Sequence, residues 1–464
     1  MSNEKSDPAA PWFSLAPAGF VWATGIEDTF VPQTERLGER VLDEYALTQH
    51  YRFWREDLDR AVALGVRALR WGIPWYKVEP APGHFTWQWV DQVIDYAAER
   101  GLAIIADLMH YGTPLWLDNQ FLNNSYPARV AAYAAAFTRR YRDRVHLYTP
   151  LNEPMITVEF CGERAIWPPY LRGTDGLIKL SCALAHGMIQ TTQAIRAEHP
   201  GALIIDVEAA IEVLPAGPAL AEAATRRNEL AFLVLDLIRG RVTAQHPLAD
   251  WLATNGCPDR ELATFAGQEM PIDILGVNYY PETSVQQVTQ DLAAAFQTRT
   301  WGGGAGLERA ITRYGARYGL PMMITETSTN GTVAARVAWL QDSLVAVARL
   351  RAAGLPLVGY TWFPLFDLID WAYRAGARPI EEFIARLGPP ALDPAQVARH
   401  MTAFGWQSLD VLPLEAFLAP MGLYALEMQF DGSLARVPTA AVEVYRAAIA
   451  GGVARLGVGG FLPS

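Results

Sequence analysis

An α/β fold of eight parallel strands closed by helices, the (β/α)8 TIM barrel, is the class this sequence predicts, on three observations. Short apolar, β-prone runs alternate with amphipathic helical stretches along almost the whole chain, the pattern of a parallel α/β fold. The runs number eight, the count that closes a barrel. Two glutamates far apart in sequence, Glu153 and Glu326, each close one of those runs, and a closed repetitive fold brings such positions together. The 464 residues, 51% hydrophobic and 19% charged, are enough for a large core. Barrels with insertions exceed 400 residues as one unit, so residues 1–464 read as a single domain.

In chain order, the expected strands are residues 20–24, 68–73, 103–108, 145–151, 203–207, 272–277, 322–325 and 357–362. Helical periodicity occupies 53–64, 89–99, 128–141 and 333–352 between them. Two stretches break the alternation. Gly302-Gly303-Gly304-Ala305-Gly306 lacks the Lys-Ser/Thr tail of a phosphate loop and reads as a mobile loop. Residues 373–420, rich in Pro, Ala and Leu, follow the eighth strand and read as an insertion or lid over the barrel mouth. Nothing suggests a second domain or a solenoid repeat.

The net charge of −11 disfavours a nucleic-acid backbone or an anionic membrane surface as partner. The basic run Arg139-Arg140-Tyr141-Arg142-Asp143-Arg144 reads as the solvated end of a helix. No basic-then-apolar leader opens the sequence, and no apolar run approaches the roughly 20 residues of a membrane span. Cys161, Cys182 and Cys257 are odd in number and scattered, as reduced thiols of a cytoplasmic protein are. The eight histidines show no metal-ligand spacing, so no metal is expected.

Reacting groups in this fold stand at the C-terminal ends of strands. Those ends carry Arg70, His110, Asn152 with Glu153, Asn278 with Tyr280, Glu326, and Trp362. Two carboxyls, a fixed cation, neutral hydrogen-bonding groups and an aromatic face together describe a sugar site. Singly, each has a plainer reading: a Glu before Pro ends many strands, and tryptophans usually pack.

Here the chain resembles glycoside hydrolase family 1, the retaining β-glycosidases, from about Phe20 to Ile449. Arg70-Trp71-Gly72-Ile73-Pro74-Trp75 is similar to the family's Arg-Phe-Ser-Ile-Ser-Trp, and His110-Tyr111-Gly112-Thr113-Pro114-Leu115-Trp116-Leu117 to its His-Trp-Asp-Leu-Pro-x-Trp-Leu. Asn152-Glu153-Pro154 matches unchanged, and Asp273-Ile274-Leu275-Gly276-Val277-Asn278-Tyr279-Tyr280 nearly so. Ile324-Thr325-Glu326 opens the family's Ile-Thr-Glu-Asn-Gly. The resemblance implies Glu153 as acid/base and Glu326 as nucleophile, kept anionic by Arg70 and oriented by Tyr280. It also implies Asn152 on the sugar 2-hydroxyl, His110 on a neighbouring hydroxyl, and Trp362 as the floor under the ring. No cofactor is implied, since side chains supply nucleophile, acid and electrostatic support. The implied partner is a small glycoside or oligosaccharide.

The departures fall on sugar recognition. Where the family carries Gln-Ile-Glu-Gly, its Gln gripping two hydroxyls, this chain reads Gly25-Ile26-Glu27-Asp28, leaving Glu27 or Asp28 to take over part of that role. After the eighth strand the family's Trp-Ser-Leu-Leu-Asp-Asn-Phe-Glu-Trp becomes Trp362-Phe363-Pro364-Leu365-Phe366-Asp367-Leu368-Ile369-Asp370-Trp371, one residue longer and with Asp370 for Glu. Asp370 and Trp371 are thus expected substrate contacts from shifted positions. The donor sugar stays open. So do transglycosylation, which shares the first step, and a carbohydrate-binding protein without turnover, which predicts decay of the two glutamates first.

Overall fold

The computed structural model describes residues 19–32, 40–289, 297–375 and 413–452. The eight expected strands form: β1 Val21–Ile26, β2 Ala68–Gly72, β3 Ala103–Asp107, β4 Leu147–Thr149, β5 Leu203–Ala209, β6 Ile274–Asn278, β7 Met322–Glu326 and β8 Leu357–Trp362. Each pairs in parallel with its sequence neighbours, and β8 pairs with β1 to close the barrel. β4 is shorter than its apolar run because Pro150 has no N–H to give to the ladder.

Side-chain alternation sorts the strands into two layers. Val21, Ala23, Ala68, Ile105, Leu147, Ile205, Val207, Ile274, Met323 and Val358 fill the barrel interior. Their neighbours, among them Leu69, Trp71, Ile104, Ile204 and Leu275, pack in the larger core that includes the helices. The expected helices appear as His50–Leu64, Gln88–Glu99, Tyr126–Tyr141 and Val333–Ala352. Tyr126–Tyr141 starts early because a proline is tolerated in the first turn, where its missing N–H costs no helix bond.

The glycine run is not a loop: it opens the helix Gly303–Tyr318. A Cβ at Gly302 or Gly306 would stand 2.3 or 2.2 Å from the Tyr279 hydroxyl, so these glycines serve close packing. Most of the expected 373–420 insertion, residues 376–412, lies outside the described residues. Of its flanks, Trp371–Ala375 is a 3-10 turn, and Leu418–Ala419 pairs antiparallel with Leu368–Ile369.

Side chains lock the β1–β8 seam. Thr24 Oγ1 donates to the Trp362 carbonyl at 2.9 Å, and Tyr445, from the helix Ala440–Gly451, donates to the Ala23 carbonyl at 2.6 Å. Among the described residues no helix is long and apolar enough to cross a membrane.

Candidate active site

The C-terminal ends of β2, β3, β4, β6 and β7 converge on one buried cluster of polar side chains. Arg70, the third residue of β2, pairs in register with Ile105, which faces the barrel interior, so its guanidinium rises on the inner side. It is 1% exposed and reaches three partners. Nη1 donates to Glu326 Oε1, while Nη2 donates to Asp107 Oδ2 and to Asn152 Oδ1, each at 2.6 Å. Burial opposes the guanidinium charge, but Asp107 and then Glu326 outweigh it, so Arg70 holds its proton more firmly than in water.

Glu326 ends β7 opposite Asn278 of β6. Its second oxygen, Oε2, accepts from the Tyr280 hydroxyl at 2.6 Å. One cation and one neutral donor therefore orient this carboxylate, as a nucleophile requires.

Glu153 is held differently. It follows β4 with φ 42°, in the left-handed region. Oε1 accepts from Asn278 Nδ2 at 3.0 Å, and Oε2 accepts from the Tyr111 hydroxyl. Burial first, then the charge of Glu326, push its pKa up to about 7, against the two donors and His110. A carboxyl that exchanges its proton near neutrality is suited to acid/base work.

His110 and Asn152 knit the pair together. His110 Nδ1 lies 2.9 Å from Asp107 Oδ2, and Nε2 lies 3.5 Å from Glu27 Oε2. Burial pulls the imidazole down, yet Glu27 and Asp107 outweigh it and raise it to about 9. Asn152 Nδ2 donates to the Tyr111 hydroxyl at 2.9 Å and lies 3.1 Å from His110 Nε2. Asn278 is fixed in turn by Thr325 Oγ1, which donates to its Oδ1 at 2.7 Å.

Thus Arg70, His110, Asn152, Glu153, Asn278, Tyr280, Glu326 and Glu27 come together, Glu27 through His110. Of the three other expected contacts, Trp362 turns away, while Asp370 and Trp371 lie on the turn that follows β8. Ala23 belongs to the inner cluster and pairs with Thr361, so Trp362, paired with Thr24, faces the helices. Trp362 is 0% exposed and its indole N–H donates to the Met421 carbonyl at 3.2 Å, which removes it from the floor of the site. A register irregularity where β7 meets β8 produces this turn of faces. Asp370 caps the following turn, its Oδ1 accepting from Ala372 N–H at 2.8 Å. Trp371 is half-buried and stands edge-on to Tyr111, ring centres 5.4 Å apart.

Sequence reasoning missed Tyr111, Asp107 and Phe363. Phe363 lies parallel to the His110 ring, 6.4 Å away, with the Arg70 guanidinium 5.5 Å from its ring centre. It rests on Gly25, where a Cβ would come within 2.3 Å of the ring. The available signal was the pairing of the lost glutamine with the extra residue after β8: an aromatic ring now sits over the glycine.

The family model for Glycosyl hydrolase family 1 matches residues 23–378. A bifunctional β-D-glucosidase/β-D-fucosidase of Bifidobacterium breve is 26% identical over 71% of this chain and 81% of its own length. A thermostable β-glucosidase B of Thermobispora bispora is 25% identical over 78% and 85%. The family 1 β-glucosidase structure from Thermotoga maritima superposes with a TM-score of 0.72 at 17% identity, covering 95% of this chain and 98% of that one. With a family match over most of its length and the family's barrel built around a buried carboxyl site, the chain belongs to glycosyl hydrolase family 1, a glycoside hydrolase acting on O-glycosyl bonds.

Proposed function

We propose that the chain is a retaining β-glycosidase working by double displacement, with Glu326 as nucleophile and Glu153 as acid/base. The observation that carries this reading is the split environment of the two glutamates: Glu326 sits on a guanidinium, and Glu153 sits among neutral donors with its pKa raised to about 7. Protonated Glu153 gives its proton to the leaving oxygen as the Glu326 carboxylate attacks the anomeric carbon and the glycosidic C–O bond breaks. Glu153, now ionised, takes a proton from water. That water attacks the same carbon and releases Glu326.

Arg70 and Tyr280 hold Glu326 for attack. A protonated His110 cannot accept at Nε2, which leaves one Asn152 hydrogen for a sugar 2-hydroxyl. The relatives' names make β-glucosides and β-fucosides the first donors to test. A cytoplasmic setting belongs to the same reading, supported by three buried cysteines that form no disulfide.

The test is intact-protein mass after incubation with 2-deoxy-2-fluoro β-glucoside and β-fucoside bearing dinitrophenolate. The expected result is a stable single-sugar adduct whose digest maps to Glu326 and which Glu326→Ala does not form. Turnover of the parent glycosides without any adduct, or an adduct on another residue, would overturn the assignment.

A further inference from the structure

Where the family sequence carries tryptophan after its histidine, this chain carries Tyr111, and so brings a hydroxyl to the edge of the site. The ring is 5% exposed and is clamped by Trp167 and Trp371, each with ring centres 5.4 Å away. Tyr111 has φ 69° and Glu153 has φ 42°, both in the left-handed region that costs a non-glycine residue free energy. Such conformations persist where the surroundings over-determine them. Here the two strained residues are hydrogen-bond partners.

The direction of that bond is fixed by its neighbours. Asn152 Oδ1 accepts from Arg70 Nη2 at 2.6 Å and from Asn278 Nδ2 at 3.3 Å, so its Nδ2 must be the end turned to Tyr111. Asn152 Nδ2 donates to the Tyr111 oxygen at 2.9 Å, which leaves the phenol proton for Glu153 Oε2. Asn278, oriented by Thr325, donates to the other oxygen. Both oxygens of Glu153 thus face donors, an arrangement that favours a carboxylate over a carboxylic acid.

Other titratable groups act on Glu153 from each element around it. They are Arg70 of β2, His110 after β3, Glu208 of β5, Tyr280 after β6, Glu326 of β7 and Tyr314 of the Gly303–Tyr318 helix. Arg70 and His110 favour the ionised form through charge, and Glu326 opposes it. Tyr111 adds a directed hydrogen bond.

We propose that Tyr111 is a positioning residue that holds the ionised form of Glu153 and so sets the pH above which the site loses its acid. This rests on Glu153 being the acid/base. It concerns a hydroxyl that the aligned family motif, with its tryptophan, does not supply.

The experiment is the pH profile of kcat/KM on a nitrophenyl β-glycoside for the parent, Tyr111→Phe, and protein with 3-fluorotyrosine placed at position 111. Phenylalanine removes the donor and should move the alkaline limb up by about one pH unit, the size expected for losing a hydrogen bond to a charged group. The fluorinated phenol is more acidic and donates more strongly, so it should move the same limb down. A residue that merely fills space would give no such opposed pair. An unmoved limb in both proteins, or movement in the same direction, overturns the proposal. If Tyr111→Phe does not fold, the fluorotyrosine protein decides alone: a limb moved down supports the proposal, and an unmoved limb ends it. Glu153→Ala on the same substrate separates the two readings. An alkaline limb that survives there defeats the acid/base assignment itself. A limb that vanishes there but ignores both changes at position 111 defeats the role of Tyr111 alone.

Discussion

Two sets of buried carboxyls belong to the same barrel and are kept in opposite ways. At the mouth, Glu326 and Glu153 meet Arg70, Tyr280, Asn278 and Tyr111, and each of their four oxygens accepts a hydrogen bond. On β5, Asp206 and Glu208 flank the inward-facing Val207 and so face the helical layer. Among the described residues no group donates to any of their four oxygens. Burial raises Asp206 to about 7 against the opposing charge of Arg239, and burial followed by Asp206 raises Glu208. Burial without a donor thus favours the neutral acid. A cation or an aimed donor is what turns a buried carboxyl into a nucleophile or a tuned acid.

The largest blow to this contrast is Arg70→Leu, which strips the mouth of its counter-charge. Leaving Glu326 and Asp107 buried without their partner should cost about 3–5 kcal/mol of stability, read by urea denaturation at pH 7. A variant as stable as the parent would mean that the guanidinium is not what holds the mouth carboxyls.

The β5 pair should respond in the other direction. Both fold with raised pKa values, Asp206 to about 7, so the native state binds more protons as pH rises from about 4. Stability from this pair is present at low pH and is lost as pH rises towards 7. The double change Asp206→Asn with Glu208→Gln removes that loss and should gain on the order of 4 kcal/mol at pH 8, the size set by the rise of Asp206 from 3.8 to about 7. At pH 4 the gain should be absent. Melting temperatures at the two pH values check it, and a variant weaker at pH 8 would show that the ionised pair is wanted.

The smallest effect is expected at Trp362→Phe. It removes one hydrogen bond to the Met421 carbonyl, about 1 kcal/mol, and should leave KM unchanged because the indole faces the helices. A several-fold rise in KM at constant stability would put Trp362 back under the sugar.

These outcomes also mark what the sequence could carry. Eight apolar runs and the strand-end positions of Arg70, Asn152, Glu153, Asn278 and Glu326 predicted the barrel and the polar cluster, because strand ends in a closed barrel must converge. Trp362 was misplaced because facing depends on register, and a one-residue irregularity between strands reverses it without any mark in composition. Phe363 over Gly25 is a close approach between residues distant in sequence, legible only once β1 and β8 are neighbours. The glycine run was mistaken for a loop because helix propensity argues against glycine, whereas the packing of the Tyr279 hydroxyl requires it. Tyr111 was passed over as a variant of an aromatic position, yet its hydroxyl rather than its ring meets Glu153.

The seam between β1 and β8 has a consequence for how the chain is made. Thr24 and Trp362, joined across it, are 338 residues apart. At ribosomal speeds of roughly 5–20 residues per second, on the order of 20–70 s pass between synthesis of the first and the second. For that interval one margin of β1 offers unsatisfied backbone groups to any passing strand, the condition under which nascent chains mispair. The same closure that brings the distant glutamates to one mouth therefore makes the polypeptide wait for the last quarter of its 464 residues, and a holding chaperone has most to protect at the first strand of the barrel.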